Sequence, residues 1–155
     1  MHPNAKKIHF TPDGFEKLKK EQQKLLDERP TAVAELKRAR EMGDLSENGA
    51  YKGAKFKVSQ IDRRVRELQY LIKHAYIENV IEGIVGVNTT VIVSDDVHEK
   101  QFHIVGEHEA DPLAGKISPY SPVGSQLMGR KEGEKVVIQT PKGVLTYTIV
   151  KIQKV

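Results

Sequence analysis

The sequence predicts an α+β protein of two domains. Residues 1–78 read as an N-terminal antiparallel α-helical coiled-coil hairpin, and residues 79–155 as an antiparallel sheet with one short helix. Three observations predict this. Apolar and small residues recur at alternating spacings of three and four in two long runs before residue 75. A tight turn rich in Gly, Asp, Ser and Asn separates the runs. Helical periodicity ends near Ala75–Asn79, and short β-rich runs follow.

The first arm begins at Thr11-Pro12-Asp13. A Thr oxygen accepts orphan amides at an N-cap, and Pro at the first helical position needs no donor. Its seam is Phe15, Leu18, Gln22, Leu25, Arg29, Ala32, Leu36 and Ala39, polar at Gln22 and Arg29. Pro30 is expected to kink this arm or to start a new segment. The second seam is Tyr51, Ala54, Val58, Ile61, Val65, Leu68 and Ile72, apolar or small throughout. About three heptads per arm predict a coiled coil. The turn is too short for the arms to diverge, so they run antiparallel. Arms of roughly 28 residues would be about 42 Å long.

The turn, Gly43-Asp-Leu-Ser-Glu-Asn48, has two readings. In the bland one, Gly43 takes a left-handed C′ position, Asp44 and Ser46 cap, and Glu47 complements the dipole of the second arm. In the functional one, Asp44 and Glu47 project from a turn and reach a metal or reaction centre held by something else. Spacing alone leaves both open.

In the second half, Thr90–Val93, Gln101–Val105, Glu134–Thr140 and Val144–Ile152 read as strands. Pro141-Lys142-Gly143 makes a turn between the last two. Ser121-Pro122 is an N-cap pair and Gly129 a C′ residue, predicting a helix over 122–128. His98, His103 and His108 recur every five residues, a period that fits neither a helix face nor a strand face. The glycines do not form a phosphate loop.

The chain has no Cys, which removes thiol chemistry and fits a reducing, cytoplasmic compartment. It has no apolar run of membrane-spanning length, so no membrane association is expected. Few aromatics and no Trp argue against base stacking as its main binding device. Charge is uneven. Residues 1–78 hold 17 Lys/Arg and 12 Asp/Glu, and residues 79–155 hold 8 and 9. The excess therefore lies on the hairpin, with Lys37, Arg38, Arg40, Lys52, Lys55 and Lys57 near the turn. These residues are either an ordinary solvated face or a patch that attracts a polyanion.

The block Ala39-Arg-Glu-Met-Gly-Asp-Leu-Ser-Glu-Asn48 resembles the tip of Gre-family transcript cleavage factors, and is closest to the GreA type. The resemblance begins at Phe10-Thr-Pro-Asp-Gly-Phe-Glu-Lys-Leu18 and includes Arg29-Pro30. It resumes at Ile104-Val-Gly-Glu-His-Glu-Ala-Asp111, Ser121-Pro122, Gly129–Ile138 and Thr140-Pro-Lys-Gly143. It implies an FKBP-like fold for the C-terminal domain. It also implies binding to bacterial RNA polymerase through the secondary channel, and stimulated cleavage of backtracked nascent RNA near its 3′ end. The factor would not be an enzyme by itself, would act as a monomer, and would hold no cofactor stably alone.

Carried over residue by residue, Asp44 and Glu47 are the catalytic acids. They share the polymerase's Mg²⁺ only in the complex, as hard oxygen donors of the kind that ion takes. Gly43, Leu45, Ser46, Asn48 and Tyr51 support the tip. Lys37, Arg40, Lys52 and Lys55 form an RNA-binding basic patch. Tyr120, Ser121 and Pro122 dock on the polymerase.

The chain departs from the family pattern in three places. Gly49-Ala50-Tyr51 stands where Ala-Glu-Tyr is common, Tyr120 replaces a small polar residue, and Gly124-Ser125 replaces Ala-Arg. The first departure keeps open a rival: a secondary-channel inhibitor or modulator without cleavage stimulation. Two further rivals are a prolyl isomerase and a free nucleic-acid-binding coiled coil. The isomerase needs an aromatic pocket, for which only Phe102, Tyr120 and Tyr147 are available.

Overall fold

Thr11 starts the first helix, α1 (Pro12–Glu41), as its N-cap: the hydroxyl oxygen accepts the Gly14 N–H at 3.0 Å. The computed structural model describes residues 6–43 and 48–155. Two compact units divide the chain. One is Glu16–His74; the other joins the residues up to Phe15 with Ala75–Val155. The start of the chain thus packs with its second half.

The hairpin unit consists of α1 and α2 (Gly49–His74). Polar partners across the arms rise along one helix as they fall along the other. Glu21 meets Arg64, Arg29 meets Asp62 and Glu35 meets Lys57, which is an antiparallel register. Ala32, Ile61 and Val65 form the buried cluster, with Leu25 and Val58 packed against it. Leu71 is buried alongside Leu68, whereas the expected seam residue Ile72 is only half-buried. A straight helix advances by 3.6 residues per turn and drifts off a strict seven-residue repeat.

Pro30 does not end the helix or start a new one; α1 is continuous through it. A helix-interior Pro costs about 3 kcal/mol. Here it sits on the exposed face, where water reaches the carbonyl it leaves unpaired. The Arg29–Asp62 pair beside it ties the arms together at 2.6 Å.

The second unit holds a five-stranded sheet and one short helix. The strands are β3 (Thr89–Ser94), β4 (Glu99–Ile104), β5 (Lys116–Ile117), β6 (Lys135–Thr140) and β7 (Gly143–Lys154), in the order β5-β4-β3-β7-β6. Neighbours are antiparallel except the two-residue β4/β5 pair, which is parallel. Val91, Val93, Ile104, Val136, Ile138, Tyr147 and Ile149 point to one face and bury it under α3 (Pro122–Leu127), whose Leu127 is fully buried. Each such side chain contributes about 1.5–3 kcal/mol on burial. Gly143 begins β7, so the β6–β7 turn is Pro141-Lys142 alone. The helix stops at Leu127, and Gly129 follows it at φ 76°.

Two elements have no periodicity to announce them. These are β1 (Ile8–His9) and β2 (Ala75–Tyr76), a parallel pair that ties the start of the chain to the segment after α2. Phe10 is buried beside them and stacks on His108 with ring centroids 5.8 Å apart. No helix among the described residues is long and apolar enough to cross a membrane.

Candidate functional site at the hairpin tip

The tip begins where α1 runs out of partners. The last four carbonyls of a helix lack intrahelical donors, and so do the first four N–H groups of the next. Here one side chain serves both ends. Asn48 Nδ2 donates to the Ala39 carbonyl at 3.1 Å, and Asn48 Oδ1 accepts the Tyr51 N–H at 3.2 Å. The Asn48 carbonyl also accepts the Lys52 N–H at 3.1 Å, the opening turn of α2. The N-cap of the second arm is therefore Asn48, not Ser46. The Asn48 amide reaches the Ala39 carbonyl, which also accepts the Met42 N–H at 3.3 Å, and a bond across the two arms is not revealed by local sequence.

Gly43 takes φ 118°, a region that side-chain-bearing residues rarely adopt. Asp44, Leu45, Ser46 and Glu47 lie outside the described residues. Asn48 and Tyr51, expected as supports, come together with Ala39 and Arg40. The Arg40 guanidinium lies over the Tyr51 ring, 6.0 Å from its centroid. Lys37, Lys52 and Lys55 are exposed, and Arg40 is exposed while reaching across to α2. Lys57 is drawn away from any patch by Glu35 at 3.2 Å. Beside the tip, Ala39, Ala50, Gly53 and Ala54 leave an open groove of about 400 Å³. Met42 stands at its end, 77% exposed.

The expected docking residues lie in the other unit. Tyr120 is 62% exposed and Pro122 is exposed, opening α3. Ser121 has a structural duty: its hydroxyl accepts the Gly124 N–H at 3.0 Å and donates to the Ser118 carbonyl at 2.8 Å. A Cβ on Gly124 would come within 2.0 Å of that same carbonyl, so the tight cap accounts for glycine at this position. The Tyr120 ring meets His9 edge-on at 6.2 Å, and His9 meets Tyr76 at 5.4 Å. Lys7 lies over the Tyr76 ring at 4.5 Å.

One residue with a clear role was not singled out by sequence reasoning. Glu109 accepts the Thr11 N–H at 2.9 Å, the Thr11 hydroxyl, and the Gly106 N–H at 3.3 Å. It places a carboxylate at the N-terminus of α1, where the helix dipole favours it. The block Ile104–Asp111 flagged the region, but a contact across 98 positions leaves no local signal.

The three histidines go separate ways. His108 stacks on Phe10, and His98 donates its N–H to Asp95. His103 faces Lys116 across the β4/β5 pair. Its ring titrates below the ordinary imidazole range, first because it is buried and next because of the Lys116 charge.

Residues 8–77 match the family model described as transcription elongation factor, N-terminal. Residues 80–154 match that described as transcription elongation factor, GreA/GreB, C-term. Transcription elongation factor GreA of Thermodesulfovibrio yellowstonii is 42% identical over 152 residues, covering 94% of this chain and 96% of its own length. That of Thermosipho africanus is 40% identical over 150 residues, covering 94% and 96%. Among solved structures, the GreA factor homolog 1 of Thermus thermophilus is 25% identical, with a TM-score of 0.45, and covers 96% of this chain and 99% of its own. With both halves matched and about 40% identity along nearly the whole of each relative, the chain belongs to the GreA/GreB family of transcription elongation factors.

Proposed function

We propose that this chain binds bacterial RNA polymerase through its secondary channel and stimulates the polymerase's own endonucleolytic cleavage of backtracked RNA. It thereby rescues arrested complexes in the cytoplasm, as a monomer and without being an enzyme alone. The observation that carries the reading is the family match over both halves of the chain, with about 40% identity to GreA relatives along nearly their whole length. Among the described residues, Asn48 supplies the cap of α2.

Two carboxylates are the right donors for Mg²⁺, which takes oxygen ligands and keeps several waters. Asp44 and Glu47 would add to a metal held chiefly by the polymerase. That metal would supply Lewis acidity when bound. The two acids would orient a water and accept its proton. Lys37, Arg40, Lys52 and Lys55 attract the phosphates of the displaced RNA 3′ segment. Tyr120 and Pro122 offer exposed surface for docking, on a loop that Ser121 holds in shape.

The test is a cleavage assay on stalled elongation complexes from the cognate polymerase. Asp44→Ala and Glu47→Ala are each expected to reduce cleavage to the level of polymerase alone while binding to polymerase survives. Loss of binding in step with cleavage would defeat this division of labour. A wild-type protein that slows the polymerase without releasing RNA fragments would favour the inhibitor reading.

A further inference from the structure

The three aromatic residues of α2 have different surroundings. Tyr51 lies under the Arg40 guanidinium, and Tyr70 packs against His74 with ring centroids 4.3 Å apart. Phe56 is 63% exposed and has no ring or cation partner among the described residues. Helical residues advance by about 100° each, so Phe56, two residues past Ala54, points about 200° away from it. That is the side of α2 opposite the seam of Ala54, Val58 and Ile61.

The same outer face is basic. Lys52 stands one turn before Phe56 and Arg63 two turns after it, and both are exposed. Exposed Lys55 flanks the ring. From Gly49 to Ile61 the helix carries no Asp or Glu. Its two acids, Asp62 and Glu67, are held by Arg29 and Arg64. The charge this face offers a ligand is therefore positive. At 1.5 Å per residue, Lys52 and Arg63 are about 16 Å apart along the axis, with the ring between them.

A row of cations alone suits any polyanion. An open aromatic ring among them selects single strands. The phosphates meet the cations, and an unpaired base can lie on the ring, whereas a duplex keeps its bases in its own stack. Resting on the reading above, we infer that Phe56 is a base-stacking residue, and that the outer face of α2 from Lys52 to Arg63 is a track for single-stranded RNA. In the polymerase complex that strand is the displaced 3′ segment. One ring supplements the charge and does not replace it.

The chain has no Trp, so Phe56→Trp puts a single indole at the proposed contact. The free full-length variant is titrated at low salt with a mixed-sequence RNA strand of roughly 12 nucleotides, and with the duplex of the same length. The strand is expected to quench the indole emission and the duplex to leave it unchanged. In the same background, Lys52→Gln and Arg63→Gln should each weaken binding several-fold and lower the salt slope by about 1. No quenching, or equal quenching by the duplex, overturns the track. In the cleavage assay, Phe56→Tyr keeps the ring and should stimulate as the wild type does. Phe56→Leu keeps apolar bulk without a flat ring. It should slow cleavage about fivefold or more on RNA with a long extruded 3′ segment. Full activity of Phe56→Leu overturns stacking in the complex and leaves the ring an apolar contact with the polymerase. If the wild-type protein stimulates no cleavage, the functional reading fails, and the quenching titration still decides whether the track exists.

Discussion

The two units are held together in different ways. The β unit buries eleven residues in one cluster, several of them fully, so its order rests on close-packed apolar contact. In the hairpin, Ala32, Ile61 and Val65 form one smaller cluster, and Ala39, Leu68 and Leu71 are buried as well. Its register is marked instead by charged pairs on the rim: Glu21 with Arg64, Arg29 with Asp62, and Glu35 with Lys57. Charge pairs choose a register without adding much strength. The candidate catalytic acids thus belong by sequence to the unit with the smaller buried cluster. The candidate docking residues lie on the densely packed one.

Glycines sharpen this comparison most. A Cβ on Gly106 would come within 1.9 Å of the His9 backbone carbonyl, which cannot swing aside. Its φ is −62°, so any penalty comes from contact and not from backbone strain. Gly106→Ala is expected to destabilise the β unit by about 1–3 kcal/mol, the usual cost of overpacking. Gly53 lies inside α2, and a Cβ added there would meet nothing within 4 Å. Gly53→Ala is expected to stabilise the hairpin by up to about 1 kcal/mol through helix propensity. Region-resolved hydrogen exchange on both variants reads the two signs. Equal shifts of the same sign would erase the contrast between the units.

The hairpin was legible because its signal is local and repeated. Leu25, Ala32, Val58, Ile61 and Val65 fall on the seam that periodicity drew, and each is buried or half-buried. The strands of the sheet were legible for the same reason. What stayed hidden was non-local. The Asn48 cap depends on Ala39, nine positions back. The Glu109 anchor depends on Thr11. The β1/β2 pair is two residues long, too short for any period to show. Pro30 starts no new segment, because α1 runs on through it on an exposed face.

The pH at which each unit weakens gives a second test. His103 titrates below its ordinary value of 6.5, because of burial first and Lys116 second. Its Nε2 is buried with no hydrogen-bond partner among the described residues. Between the ordinary value and the lower folded value, the unfolded chain holds more protons, so the β unit loses stability as pH falls below about 6.5. Glu109 opposes the shift weakly. In the hairpin, Glu21 is held low by its hydrogen bonds to Arg64, and Asp62 by those to Arg29. Their contribution is complete above their ordinary values of 4.5 and 3.8 and is lost as pH falls below them. Hydrogen exchange at stepped pH should therefore show the β unit loosening first and the hairpin later. His103→Gln should remove the early step alone. An early step that survives this substitution would assign it to another group.

The smallest expected effect concerns the rim pairs. Arg64 is the best placed, because its guanidinium meets Glu21 at 2.7 and 3.0 Å, and Glu67 one turn along at 2.9 Å. Both Arg64 and Glu21 remain more than a third exposed, so solvent screens the attraction. A double-mutant cycle with Glu21→Gln and Arg64→Gln should give a coupling of about 0.2–1 kcal/mol, typical of exposed pairs. Raising the salt to about 1 M shortens the Debye length to roughly 3 Å and should remove most of it. The same salt should leave the β unit unchanged or slightly firmer, because apolar burial is not screened. A coupling well above this range that persisted in high salt would show that the pair is desolvated. The hairpin would then owe strength as well as register to its charges, and the two units would differ less than their cores suggest.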